Sequence, residues 1–340
     1  LMPTALMKIF TSEQVIIEEG VKYLRIVSWS YPLAAAAVVY LNIMRSVERV
    51  IISTLVYSAS LVVNIIFNAI FIFGLGSVPA MGVSGAACAT VIAHVAECLI
   101  VIIYMIKINP PVHFRLSYLM VREKALMKDF RIYALPVILN ELAWGTGTSA
   151  IAAIIGHMGS AAVAANSITQ VTRQLAMVVT MGVANATAII LGRTIGERKE
   201  ELAVIYASRL VKLSALLGVG GSMVMFCVSP IARRFMTLTP EADGYLGQMM
   251  AIMALYVLCQ AVDVTLIVGA FRAGGDTRIG LALDAISLWG VCLPAGAIAA
   301  FLLKQPVWVV YLCLTCDEML KLPFSFVRYR SKKWLKNITR

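Results

Sequence analysis

Glu141 and Trp144 stand three residues apart in an apolar stretch, so an α-helix sets both on one face. Counted from Ile132, Glu141 is about nine residues in, roughly 14 Å along a helix that rises about 1.5 Å per residue. A carboxylate beside an aromatic face suits a cation, through charge attraction and cation–π contact. The plainer reading is a glutamate neutralised by burial or paired with Arg173. Asp263 and Asp284 sit in consecutive apolar stretches on either side of a glycine turn, where Asp284 could instead anchor the turn to Arg272 or Arg278. Asp317, Glu318 and Lys321 are spaced so that the lysine reaches either acid along one helix, and self-compensation is the leading reading there. Asn166, Gln170 and Arg173 form one polar stripe at helical spacing, which fits a cavity wall because polar groups are unfavourable against lipid. An ionisable side chain inside a membrane is costly, so each of these is a functional candidate by default.

Metal chemistry is poorly supplied. His94 and Glu97 share a helical face, but no second such pair exists and the H-E-x-x-H pattern is absent, so a hydrogen-bonded pair is expected and no metal. His113 and His157 fall in loops. Of the seven cysteines, Cys313 and Cys316 spell C-x-x-C without the second ligand pair that zinc requires; all seven read as small buried hydrophobes.

The elements that must hold these side chains are nine apolar stretches: 23–44, 50–73, 83–106, 132–155, 163–191, 203–227, 246–270, 279–302 and 307–327. Each is about long enough to cross a hydrocarbon core about 30 Å thick as a helix. Hydrophobic residues make up 60% of the chain and charged residues 14%, so an all-α, polytopic membrane protein is expected. Most of the 29 lysines and arginines cluster in alternate loops, at Arg45 and Arg49, from Lys107 to Arg131, from Arg193 to Lys212, at Arg272 and Arg278, and from Lys321 onward. The positive-inside rule puts those loops and the C-terminus in the cytoplasm. The net charge of +11 then faces anionic lipid headgroups, and nucleic acid is not expected as a partner.

Placing Arg45 on Arg272 also brings Pro3 onto Pro230 and Ala5 onto Ala232. Both arginines close one span just before a turn into the next, and the two spans are six helices apart. Parallel six-helix repeats of this kind occur in secondary transporters. The expected organisation is a partial first lobe at 1–106, holding the end of a third helix and then three spans. A cytoplasmic linker follows at 107–131, a second lobe of six spans at 132–327, and a basic tail at 328–340. Opening on Leu1, the sequence is expected to be a piece of a longer, twelve-helix protein.

The turn Gly269-Ala270-Phe271-Arg272-Ala273-Gly274-Gly275-Asp276-Thr277-Arg278 allows a tight reversal through its paired glycines, with Asp276 or Thr277 able to cap the next helix. It resembles the RxGGDT turn of the multidrug and toxic compound extrusion (MATE) family. Leu135–Gly145, including Asn140, Glu141 and Trp144, looks like that family's seventh helix. Gly156-His157-Met158-Gly159 with Ala161–Asn166 resembles the junction into its eighth. Asp284, Trp289 and Pro294 resemble its eleventh, and Phe73-Gly74 with Gly82–Ala87 the turn between its fifth and sixth. One departure is Glu48, where the first-lobe counterpart of the glycine turn usually has glycine.

The resemblance implies a two-lobed exporter with a central cavity, working as a monomer in the cell (plasma or inner) membrane. It would exchange Na⁺ or H⁺ inward for small organic, often cationic, compounds outward, with no other cofactor. It implies coupling-cation binding at Glu141, Asp263 and Asp284. A substrate cavity would be lined by Asn140, Trp144, Asn166, Gln170 and Arg173, and Arg272, Gly274, Gly275 and Asp276 would form the cytoplasmic turn. A flippase for a lipid-linked precursor is the alternative, and would need several cations facing the cavity. An intramembrane enzyme built on His94 and Glu97 is the third class; the resemblance argues against any enzyme.

Overall fold

The structure is a computed structural model that describes residues 2–11, 13–75, 78–107, 123–236 and 238–336. Among these residues there is no strand, and helix accounts for nearly everything. Among the described residues, eight helices are long and apolar enough to cross a membrane: Gln14–Ser46, Val50–Phe73, Gly82–Lys107, Met127–Gly156, Ser160–Gly196, Glu200–Phe235, Pro240–Phe271 and Thr277–Leu302. Pro110, Pro111, His113 and Arg115 of the expected linker, and residues 337–340 of the expected tail, lie outside the described residues. The chain divides into two compact units, Leu1–Arg122 and Glu123–Arg340.

The first unit holds α1 (Pro3–Phe10), α2 (Gln14–Val27), a 3₁₀ turn at Ser28–Ser30, α3 (Tyr31–Ser46), α4 (Val50–Phe73) and α5 (Gly82–Lys107). Its first span begins at Gln14, well before the expected Tyr23. The charges that suggested a loop are matched along the helix itself: Gln14 donates to Glu18, and Lys22 pairs with Glu19 at 2.6 Å. Ala37, Leu41, Met44, Val56 and Val101 form the core. Ala87, Ala89 and Ala93 are buried on α5, as close helix approach requires. His94 and Glu97 meet at 3.3 Å.

The second unit holds α6 (Lys124–Asp129), α7 (Leu135–Gly156), α8 (Ser160–Gly196), α9 (Glu200–Phe235), α10 (Pro240–Val264), α11 (Thr277–Asp284), α12 (Leu293–Ala297), α13 (Val307–Leu314) and α14 (Asp317–Arg330). The pivot is α10: its span is 61% buried, against 17–33% for the others. Leu246, Met249, Met250, Met253 and Val257 pack the core around it. The helices are interrupted by π-helical stretches at Phe130–Ala134, Thr265–Phe271, Ala285–Cys292 and Ile298–Leu302. Such one-turn widenings displace side chains from the regular α register.

Two expectations about local structure are corrected. The ninth stretch, 307–327, is not one helix but α13 and α14, broken at Thr315–Cys316. Thr315 Oγ1 donates back to Tyr311 O at 2.8 Å, and Asp317 and Glu318 open a new first turn, where the helix dipole favours negative charge. Nor does the Asp276 side chain cap α11. Its carboxylate is taken by Arg328, at 2.7 Å, and Lys336, at 3.2 Å.

The turns after Arg45 and Arg272 share one backbone pattern, which the α8–α9 turn at Thr194–Lys199 also adopts. Gly275 N donates to Arg272 O at 3.2 Å and Asp276 N to Phe271 O at 2.8 Å, with Gly275 at φ +73°. In the first unit, Glu48 N donates to Arg45 O at 3.0 Å and Arg49 N to Met44 O at 2.9 Å, with Glu48 at φ +63°. Glu48 thus takes the conformation glycine would, at a cost of about 1 kcal/mol.

Candidate functional site

Two of the cavities among the described residues of the second unit are lined by the polar residues that the sequence singles out. The first, about 260 Å³, is lined by Asn140, Glu141 and Trp144 from α7, Gln260 and Asp263 from α10, Arg272, Asp284, Glu318 and Lys321. The second, about 290 Å³, is lined by Trp144, the α8 stripe Asn166, Gln170 and Arg173, and Tyr256, Thr315 and Asp317. Trp144 belongs to both. It shares a face with Glu141, as their spacing predicts.

The floor of the first cavity is an acidic cluster around one ammonium. Lys321 Nζ lies 2.6 Å from Asp284, 3.0 Å from Glu318 and 3.8 Å from Asp317. Asp263 is fully buried on the pivot helix, and neither of its carboxylate oxygens has a hydrogen-bond partner among the described residues. Each acid sits at a helix irregularity. Asp263 and Asp284 come just before π-helical stretches, and Asp317 and Glu318 open α14 after the break. Taking an ion out of water costs several kcal/mol, so four carboxyls with one ammonium leave an excess of negative charge in this part of the fold.

Glu141 occupies a different position. Its side chain is 58% exposed at the cavity wall, and Arg272 Nη2 donates to its Oε1 at 2.6 Å. The expected pairing of Glu141 with Arg173 is therefore corrected: Arg173 donates to Gln170 at 2.9 Å and Gln260 at 3.1 Å. The expected anchoring of Asp284 to Arg272 or Arg278 is corrected too, since Lys321 holds Asp284. Self-compensation of Asp317 and Glu318 by Lys321 is present, but the lysine's shortest contact crosses to another helix.

A hydrogen-bonded chain joins the cavities. It runs from Asn166 through Gln170, Arg173, Gln260 and Tyr256 to Glu318, with separations of 2.9–3.5 Å. Gln260 and Tyr256 were not singled out in the sequence. Both lie in the apolar run of α10, one helical turn apart, and only their burial against Arg173 gives them a role. The remaining expected residues, Gly274, Gly275 and Asp276, are in the turn that carries Arg272, away from the cavity lining. The seven cysteines are uneven: Cys292 is buried, Cys227 is exposed and the rest lie between.

The MatE family model matches residues 1–70 and 136–298, more than half of the chain. The chain belongs to the MATE family. Among curated relatives, Uncharacterized transporter YisQ of Bacillus subtilis is 24% identical over 279 residues, covering 81% of this MATE chain and 60% of YisQ. Multidrug resistance protein MdtK of Photorhabdus laumondii is 25% identical over 296 residues, covering 84% of this chain and 63% of MdtK. The chain thus spans about three-fifths of the length of these relatives. A solved MATE transporter in an inward-facing conformation superposes with a TM-score of 0.78 at 19% identity, covering 97% of this chain and 75% of that one. A MOP superfamily transporter from Pyrococcus furiosus gives 0.81 at 19% identity, covering 97% and 74%. These likenesses establish the fold of a multi-pass MATE membrane protein.

Proposed function

We propose that this MATE chain carries the ion-coupled half of an efflux antiporter, moving small organic cations outward against Na⁺ or H⁺. The carrying observation is the cluster of Asp284, Asp317 and Glu318 around the single ammonium of Lys321, with the buried, unpartnered Asp263 lining the same cavity as the lysine. In this reading the coupling cation enters the first cavity and supplies the missing charge beside Asp263. Glu141, at the wall, releases Arg272 to receive cationic cargo against Trp144. The Arg173–Gln260–Tyr256–Glu318 chain connects the cargo wall to the cation cluster. Transport needs only that cation and cargo favour different arrangements of the same protein, not that either binds tightly. The positive-inside pattern orients the Arg272 turn and the basic tail to the cytoplasm of the cell membrane, with the protein acting as a monomer.

Charge polarity supports a cationic cargo over a lipid-linked anionic precursor. The two linings carry Glu141, Asp263, Asp284, Glu318 and Asp317 against Arg173, Arg272 and Lys321, and the latter two cations are already paired with acids. The test uses the full-length protein in vesicles loaded with a fluorescent organic cation. Asp263→Asn is expected to abolish efflux driven by a Na⁺ or pH gradient, while Glu141→Gln abolishes it by loss of cargo capture. Undiminished efflux in Asp263→Asn at normal expression defeats the assignment. Imposing the Na⁺ and pH gradients separately tells the coupling ions apart.

A further inference from the structure

Cys292 Sγ and Cys316 Sγ lie 3.3 Å apart, and neither is in a disulfide. They come from different elements: Cys292 ends the π-helical stretch Ala285–Cys292, and Cys316 occupies the break between α13 and α14. Both backbones are therefore outside regular α-helix, where small adjustments cost least. A disulfide needs a sulfur separation of about 2.05 Å, so roughly 1 Å of closure joins them. Cys316 is half-buried, and the second cavity is lined by its chain neighbours Thr315 and Asp317. Its Sγ also contacts Cys313 O at 3.3 Å, which fixes its orientation.

We propose that Cys292 and Cys316 are a redox-modifiable pair, oxidised to a disulfide by a small hydroperoxide entering through the second cavity. The Cys316 thiol loses its proton and its sulfur attacks one peroxide oxygen. The O–O bond breaks, the leaving hydroxide takes that proton as water, and Cys316 becomes a sulfenic acid. Cys292 Sγ then attacks the Cys316 sulfur, the S–O bond breaks, and hydroxide leaves with the Cys292 proton as a second water. Two thiols and one hydrogen peroxide yield one disulfide and two waters.

The bond would act on the acidic cluster. Asp284 immediately precedes the π-helical stretch that Cys292 ends, and its ion pair with Lys321 already ties that span to α14. One tie lets two helices pivot; a second, covalent tie fixes the first turn of α14, with Asp317 and Glu318, against Asp284.

The experiment treats the full-length protein in proteoliposomes with hydrogen peroxide, blocks remaining thiols, and maps non-reduced peptides. Hydrogen exchange over residues 315–321 is followed in the same samples. A Cys292–Cys316 linked peptide is expected to dominate, with exchange over those residues slowed several-fold and restored by dithiothreitol. Cys313→Ser should retain both effects, and Cys316→Ser should lose both. A dominant Cys313–Cys316 link, sulfonic acid without any link, or a Cys292–Cys316 link that leaves exchange unchanged would each overturn the proposal.

Discussion

Removing the ammonium from the acidic cluster is the sharpest test of how the second unit is held together. Lys321 is almost fully buried, and Asp284, its nearest partner, is little more exposed. At 2.6 Å and an effective dielectric of about 20, the gross attraction between them is about 6 kcal/mol. Much of that is offset by the cost of taking both ions out of water. Losing one partner of a buried pair, which strands the other, typically costs about 3–5 kcal/mol. Lys321→Met keeps most of the side-chain volume, so the loss it reports is electrostatic rather than a cavity. It strands Asp284 and Glu318 together, and the upper part of that range is expected. Adding Asp284→Asn to Lys321→Met removes one stranded charge and should recover a substantial fraction of the loss. The assay is thermal unfolding of the detergent-solubilised full-length protein, followed by intrinsic fluorescence, for both single variants and the double. If Lys321→Met unfolds with the parent, or the double variant falls by the sum of the singles, Asp284, Asp317 and Glu318 are not organised around this lysine.

Two further outcomes concern the turns. A Cβ on Gly274 would collide with the Trp334 carbonyl oxygen, so Gly274→Ala should unseat the buried Trp334, shift its fluorescence to the red, and cost about 1–3 kcal/mol. Between α8 and α9, hydrogen bonds from Lys199 and then Arg193 hold the exposed Glu197 carboxyl below its ordinary value of 4.5. A carboxyl lowered on folding contributes stability above its unfolded value and loses it as pH falls through the folded one. Glu197→Gln should therefore lower the thermal midpoint slightly at pH 7, and the gap to the parent should close on acidification below 4.5.

Much of the architecture is legible in the residues. The apolar runs announce their helices because hydrocarbon admits only backbone whose hydrogen bonds are met within the segment. The turns after Arg45 and Arg272 close with matching backbone hydrogen bonds even though Glu48 stands in place of glycine, because backbone pairing fixes the turn and the side chain adapts. The α8 stripe of Asn166, Gln170 and Arg173 lines one cavity because helical spacing alone puts the three on one face. Pairings between helices were beyond reach. Nothing local separates Arg272 from Arg173 as the partner of Glu141, since that depends on which helices meet and at what height.

What the sequence determined by itself is the solvent and the inventory: a chain bound for the bilayer, most of its apolar helices, and the acids it carries into an apolar setting. Hydropathy and helical period are properties of neighbouring residues, so one dimension suffices for them. Only the tertiary structure decided that Asp284, Asp317 and Glu318 converge on Lys321, with the unpartnered Asp263 lining the same cavity as the lysine, while Glu141 pairs with Arg272. The π-helical stretches and the break at Thr315–Cys316 shift the α register where those acids lie, and packing around α10, rather than local sequence, sets which side chains meet.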